Sequence, residues 1–323
     1  AVAVYRGSLS RGGGVAAVGV GTAIFAGGGA AWFGVLLVFF VTSTLLGKVG
    51  AGRKAGVKRE FEKSDTRDAW QVLANGGVAG VCAIAFGVTG HPGWAGAFVG
   101  ALAAANADTW ATELGVLSRR EPWLLWPVGR VPRGTSGAVS PAGLAASAGA
   151  ALTIGVAAAL APAAYHMSSG LLLAAALLGG MAGSLGDSLL GATLQAGYHC
   201  PRCERRSESP VHACGTPAPL VRGFRWLNND AVNLTATTLG ALAGGGLTVI
   251  MLRNGVSTAT QLTLVAVVLI VAISLLWGLN WPAMKIVVGE LSPWTFRVIC
   301  VSLAGACLLL LGRLSGERVM PRR

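Results

Sequence analysis

Asp108, Glu113, Asp187 and Asp230 are carboxylates set inside or at the ends of long apolar stretches, where ionised side chains are rare. A charge in hydrocarbon costs roughly 2.5–3.5 kcal/mol on insertion scales, so such residues are functional candidates by default. The chain has only 13 acidic residues, and committing four of them to apolar segments calls for a cation. Asparagines accompany them, in Asn106-Ala-Asp108-Thr109-Trp-Ala-Thr112-Glu113 and in Asn228-Asn229-Asp230-Ala-Val-Asn233. Hard oxygens of this kind suit Mg2+, which takes one or two carboxylates and shares the rest of its shell with phosphates and water. At helical spacing Asn106, Thr109 and Glu113 share one face and Asp108 and Thr112 another, so the segment is enclosed by protein or water, or unwinds locally. Interhelical hydrogen bonds and ion pairs to loop arginines are the structural alternatives.

Other motifs carry further chemistry. Asp187 sits among small residues, Gly183-Ser184-Leu-Gly186 before it and Ser188 after, which lets a backbone or a ligand approach. Asn228, Asn229 and Asp230 suit a helix N-cap, and a helix N-terminus also attracts phosphate. Asp68 and Asn75 open an apolar segment on the same side and join the candidate set. Gly134-Thr135-Ser136-Gly137, preceded by Arg130 and Arg133, reads either as a phosphate cradle or as a plain polar turn. It lacks the Lys-Ser/Thr that completes a P-loop. Cys200-Pro-Arg-Cys203 with His212-Ala-Cys214 supplies four ligands for a tetrahedral, structural Zn2+, with a redox pair or free thiols as the alternatives.

The elements that must position these groups are membrane helices. Of 323 residues 53% are hydrophobic and 12% charged, about half the charge of a soluble domain. Apolar runs predict an all-α, polytopic helical membrane protein with about seven transmembrane helices, near 13–28, 30–47, 70–89, 94–117, 138–161, 169–197 and 229–252. Gly27-Gly28-Gly29 is the turn that splits the first run. Two more apolar segments, 262–282 and 292–312, predict a two-helix C-terminal hairpin, dividing the chain into 1–252 and 262–323. Because the sequence opens on Ala1, a preceding segment is expected; no signal-peptide layout is present.

The net charge of +12 falls mainly in loops 48–68, 118–137 and 198–227, and alternation of seven helices puts all three on one side. That is the positive-inside pattern, so the basicity reports anionic lipid at the cytoplasmic or stromal face rather than nucleic acid. The four carboxylates lie near the same loops, which predicts a polar pocket on that face. Arg313, Arg318, Arg322 and Arg323 after the last two segments break the alternation, so the tail reads as a separate unit.

Asp108-Thr-Trp-Ala-Thr-Glu113, Gly134-Thr-Ser-Gly137, Gly186-Asp187-Ser-Leu-Leu-Gly-Ala-Thr-Leu-Gln195 and Trp226-Leu-Asn-Asn-Asp230-Ala-Val-Asn233 together resemble an integral-membrane family known as domain of unknown function 92, which includes animal transmembrane protein 19. Asp68-Ala-Trp-Gln-Val-Leu-Ala-Asn75 fits the same family, and the likeness runs over about residues 5–252. The family also includes phytyl-phosphate kinase of plants and cyanobacteria, which makes an isoprenyl diphosphate for tocopherol and quinone synthesis. The resemblance implies an isoprenyl monophosphate substrate, a nucleoside triphosphate such as CTP, Mg2+, and a bacterial inner membrane or plastid envelope. On that reading Asp108, Glu113, Asp187 and Asp230 hold metal with Asn106, Asn229 and Asn233 nearby. Arg133, Thr135 and Ser136 hold phosphate. The competing reading is a transporter or ion-coupled carrier, since intramembrane carboxylates also mark ion pathways. Leu276 to Arg297 resembles the opening hairpin of EamA-type drug/metabolite transporters, too little chain for transport of its own.

Overall fold

In the computed structural model the described residues are 2–48, 66–118 and 121–254, all within one compact unit. The expected hairpin at 262–323 and most of loop 48–68 lie outside them. The architecture is helical, and its small strands are confined to two loops at one end.

A four-residue helix α1 (Val2–Tyr5) precedes α2 (Arg11–Lys48). Straight, the 38 residues of α2 would extend about 57 Å, twice the hydrocarbon thickness of a bilayer. Gly29 breaks it, with φ 75° and ψ −164°, a conformation open to glycine alone. The Phe25 and Phe33 rings then meet edge to face at 6.0 Å, impossible for residues eight apart on a straight helix. The two halves therefore fold back on each other, as the triple glycine predicts.

Helix α3 (Ala69–Thr89) ends on left-handed Gly90, and α4 (Pro92–Gly115) starts at once behind the His91 cap. Helices α5 (Pro141–Ala159), α6 (Ser169–Thr193) and α7 (Asn229–Arg253) complete the bundle. Among the described residues five helices, the kinked α2 among them, have the length and composition to cross a membrane. With α2 counted as two arms and the central α4 added, the described helices supply seven segments at the predicted places.

Helix α4 is the hub, buried continuously from Ala95 to Ala107. Its composition explains this. Alanines and glycines carry no bulk, so neighbouring backbones approach closely, the usual solution where lipid removes a hydrophobic drive between helices. A Cβ on Gly100 would strike the carbonyl of Gly240 on α7, and one on Gly179 of α6 would strike Gly100 at about 2.5 Å. Three backbones thus meet at one point.

The interhelical loops depart from simple irregular loops. Strands β1 (Trp123–Leu124), β2 (Gly129–Arg130) and β3 (Ala138–Val139) form one antiparallel sheet. Strands β4 (Gly197–Cys200), β5 (Arg205–Ser207) and β6 (Leu220–Arg222) form another. Helix α6 therefore stops at Thr193, short of the expected 197, because the chain turns into β4.

Candidate functional site

The C-terminal ends of α2, α4 and α6 and the N-terminal ends of α3, α5 and α7 surround a cavity of about 430 Å3. Nine of the twelve residues the sequence nominated outside the cysteine loop line it: Asp108, Glu113, Asp187, Asn229, Asn233, Asn75, Arg133, Thr135 and Ser136. Residues as far apart as Asn75 and Asn233 are gathered because antiparallel helices return their ends to the same level. Helix α4 stays regular to Gly115, and the cavity wraps around Asp108, Thr109, Thr112 and Glu113. The alternative of local unwinding is set aside.

The remaining three candidates are placed elsewhere. Asn106 is fully buried, and its carboxamide is spent on the scaffold. Its Oδ1 accepts from the Ser43 and Thr42 hydroxyls at 3.3 and 3.4 Å, and its Nδ2 donates to the Ala150 carbonyl at 3.0 Å. It staples α2, α4 and α5 together below the cavity. Asp68 is the N-cap of α3, accepting from the Gln71 backbone N–H at 2.9 Å, while Gln71 Oε1 accepts from the Asp68 N–H. This reciprocal pair is a capping box. Asp230 lies in the first turn of α7 and outside the cavity lining, where a carboxylate favours the helix N-terminus. Asn229 and Asn233 are four residues apart and share a face; Asp230 is turned about 100° from it.

The 134–137 turn is built to sit against α6. Gly137 has φ 77°, and a Cβ there would strike the backbone from Ser188 to Ala192. Thr135 Oγ1 donates to the Pro132 carbonyl at 2.7 Å, closing the turn on itself. Ser136 Oγ donates to Gln195 Oε1 at 2.9 Å, tying it to the end of α6. Asp187 and Arg133 are thereby fixed around the same opening. Deeper in the floor, Ser147 and Ser184 hydroxyls meet at 2.9 Å. At the surface Asn228 caps α7, accepting from the Ala231 N–H at 3.0 Å.

Several lining residues were not singled out by sequence: Arg6, Arg67, Gln195 and Glu208 among them. Arg67 is held by Leu9, whose neighbours Ser8 and Ser10 exchange backbone hydrogen bonds with it at 3.2 and 3.0 Å. Burial lowers the Arg67 pKa from its usual value, and the charge of Glu113 works against that shift. Its adjacency to the Asp68 cap was the one local hint. The cavity thus carries Asp108, Glu113, Asp187 and Glu208 against Arg6, Arg67 and Arg133. Such a mixture can hold a cation on the acids and an anion on the guanidinia, a combination suited to metal-bound phosphate.

In the 198–227 loop, Cys200, Cys203, His212 and Cys214 come together, with ligand atoms all within 4.8 Å of one another. The Thr216 hydroxyl and His212 stabilise the Cys214 thiolate, bringing its pKa down to about 5. Hydrogen bonding to Cys214, then desolvation, pushes Cys203 up to about 11. Cys203 therefore resists ionising beside Cys214.

Residues 1–241 match the family described as Integral membrane protein DUF92. Protein PGR of Arabidopsis thaliana is 35% identical over 259 residues, covering 72% of this chain and 87% of the relative. Uncharacterized membrane protein MJ0933 of Methanocaldococcus jannaschii is 30% identical over 65% of this chain and 73% of its own length. Uncharacterized membrane protein sll0875 of Synechocystis is 28% identical over 71% and 78%. No solved structure matches. The motifs that line the cavity fall within the matched stretch, and the chain belongs to the DUF92 family of integral membrane proteins.

Proposed function

We propose that this membrane protein is a Mg2+-dependent isoprenyl-phosphate kinase, transferring the terminal phosphoryl group of a nucleoside triphosphate to a lipid monophosphate of the phytyl-phosphate type. The observation that carries the reading is the convergence of Asp108, Glu113 and Asp187 with Arg67 and Arg133 around one cavity at the end of the bundle. Asp108, Glu113 and Asp187 would hold Mg2+, which neutralises phosphate charge when bound. Arg133, Arg67 and the 134–137 turn bind and orient phosphates, and Asn229 and Asn233 add neutral donors. An oxygen of the lipid phosphate attacks the terminal phosphorus, a P–O–P link forms, and the nucleoside diphosphate leaves. A phosphate monoester has a second pKa of about 6, so at neutral pH the nucleophile is already ionised and no general base is required. Positioning and electrostatic stabilisation then supply most of the catalysis.

The prenyl chain would remain among the apolar helix surfaces while its headgroup enters the cavity. The basic loops face the cytoplasm or stroma by the positive-inside rule, where soluble nucleotide is available. Transport is disfavoured because the far end of the bundle is filled by Trp32, Phe98 and Tyr165, all fully buried. The test is incubation of purified protein with phytyl phosphate, Mg2+ and CTP, ATP or GTP. Lipid diphosphate and nucleoside diphosphate in equal amounts are expected. Wild-type protein that makes neither with any of the three nucleotides would overturn the reading.

A further inference from the structure

Cys200 Sγ and Cys214 Sγ stand 3.6 Å apart, and His212 Nδ1 lies 3.1 Å from Cys214 Sγ. A disulfide needs about 2.05 Å, so these are separate thiols. A regular tetrahedron around zinc with Zn–S of about 2.3 Å has edges of roughly 3.8 Å, close to the sulfur pair. Three thiolates and an imidazole select a soft or borderline ion and reject Mg2+ or Ca2+. The ligands also come from built positions. Cys200 ends β4 and Cys203 lies in the β4–β5 turn. His212 and Cys214 flank a turn closed by the Gly215 N–H on the His212 carbonyl at 2.8 Å.

The loop needs such an ion. Its buried apolar cluster consists of Ala196, Tyr198, Cys200 and Ala218, far below what folds a segment of about thirty residues unaided. Yet this loop makes two specific contacts with the cavity wall. Strand β6 pairs with β4 at Gly197↔Arg222. From there the Arg222 guanidinium donates to the Gly191 carbonyl at 2.7 Å and the Ala192 carbonyl at 2.9 Å, both in the last turn of α6. Asp187 is one turn upstream. Glu208, the residue after Ser207 at the end of β5 (Ser207 Oγ donates to the Ser209 carbonyl at 3.0 Å), lines the cavity itself.

We propose that Cys200, Cys203, His212 and Cys214 bind one Zn2+, and that this ion orders the 197–222 loop so that Arg222 clamps the end of α6 at the cavity. All four positions are filled by protein, so the ion is structural. The proposal does not depend on the kinase reading, because each test below omits lipid and nucleotide.

Elemental analysis of the purified full chain should find about one zinc per protein. Stoichiometric iron, or no stoichiometric metal, overturns the zinc assignment. Alkylation followed by mass spectrometry should show Cys200, Cys203 and Cys214 protected as purified and all three reactive after a zinc chelator; equal labelling in both states overturns it too. Hydrogen exchange tests the clamp. Chelation should speed exchange at least tenfold both at 197–222 and at the last turn of α6. Arg222→Ala should reproduce the α6 effect with zinc content unchanged. Exchange that rises only within 200–216 on chelation overturns the clamp.

Discussion

The two ends of the helix bundle are made by opposite strategies. At one end Trp32 stacks on Tyr165 with ring centroids 5.0 Å apart and meets Phe86 and Phe98 at 4.7 and 4.3 Å. Its Nε1 donates to the Ala164 carbonyl at 3.0 Å, so the indole N–H is satisfied inside the plug. At the other end, the same helices separate around a cavity lined by seven charged side chains. Helix α4 belongs to both: mostly alanine and glycine, with Phe98 in the plug, from Ala95 to Ala105, then Asn106 through Glu113. The difference teaches that one end can store polar groups only because the other is closed and rigid. Large rings fill space where helices diverge around a turn, and small residues hold the centre together.

Breaking the closed end should have the largest effect on stability. Trp32→Ala is expected to cost roughly 3–5 kcal/mol, as large core truncations do, while molecules that still fold keep their cavity. Thermal unfolding in detergent would register it, with specific activity per folded protein unchanged. Asp108→Asn should do the reverse. Its unfolding curve should match wild type while lipid diphosphate formation falls by roughly 10²–10³-fold, the loss typical of one electrostatic contact to a transition state. Normal turnover in that variant would remove the metal role of Asp108.

Two smaller substitutions sharpen the boundary between the ends. Asn106→Ala removes one acceptor and one donor partner from a dry site and should destabilise by roughly 1–3 kcal/mol, with little effect on substrate affinity in folded protein. An altered KM at unchanged stability would return Asn106 to the site. Asp68→Ala deletes an N-cap and should cost about 1 kcal/mol, read as a small drop in midpoint temperature. A loss of activity beyond that fraction would mean that Asp68 does more than cap α3.

Much of this was legible in the residues. The turn at Gly29, the α3 end at Gly90 and the seven passes follow from glycine placement and apolar length. The polar motifs of α4, α6 and the 134–137 turn announced themselves because polar atoms in apolar runs are expensive. Arg67 was hidden among seven basic residues of one loop, since a lone arginine there has no periodicity to distinguish it. Asp68 and Asn106 were over-read for a related reason. A cap, a staple and a ligand all use the same short polar side chains, and only their partners tell them apart.

The sequence by itself determined the membrane helices, their turns and the family, because those depend on local hydropathy, backbone freedom and motif order. Tertiary structure decided which polar groups share a cavity. Asp230 and Asn229 are chain neighbours, yet a 100° rotation separates them, while Asp108 and Arg133 line one opening across an intervening sheet. Convergence of that kind depends on how helix ends align in space, and pairwise spacing along the chain does not encode it.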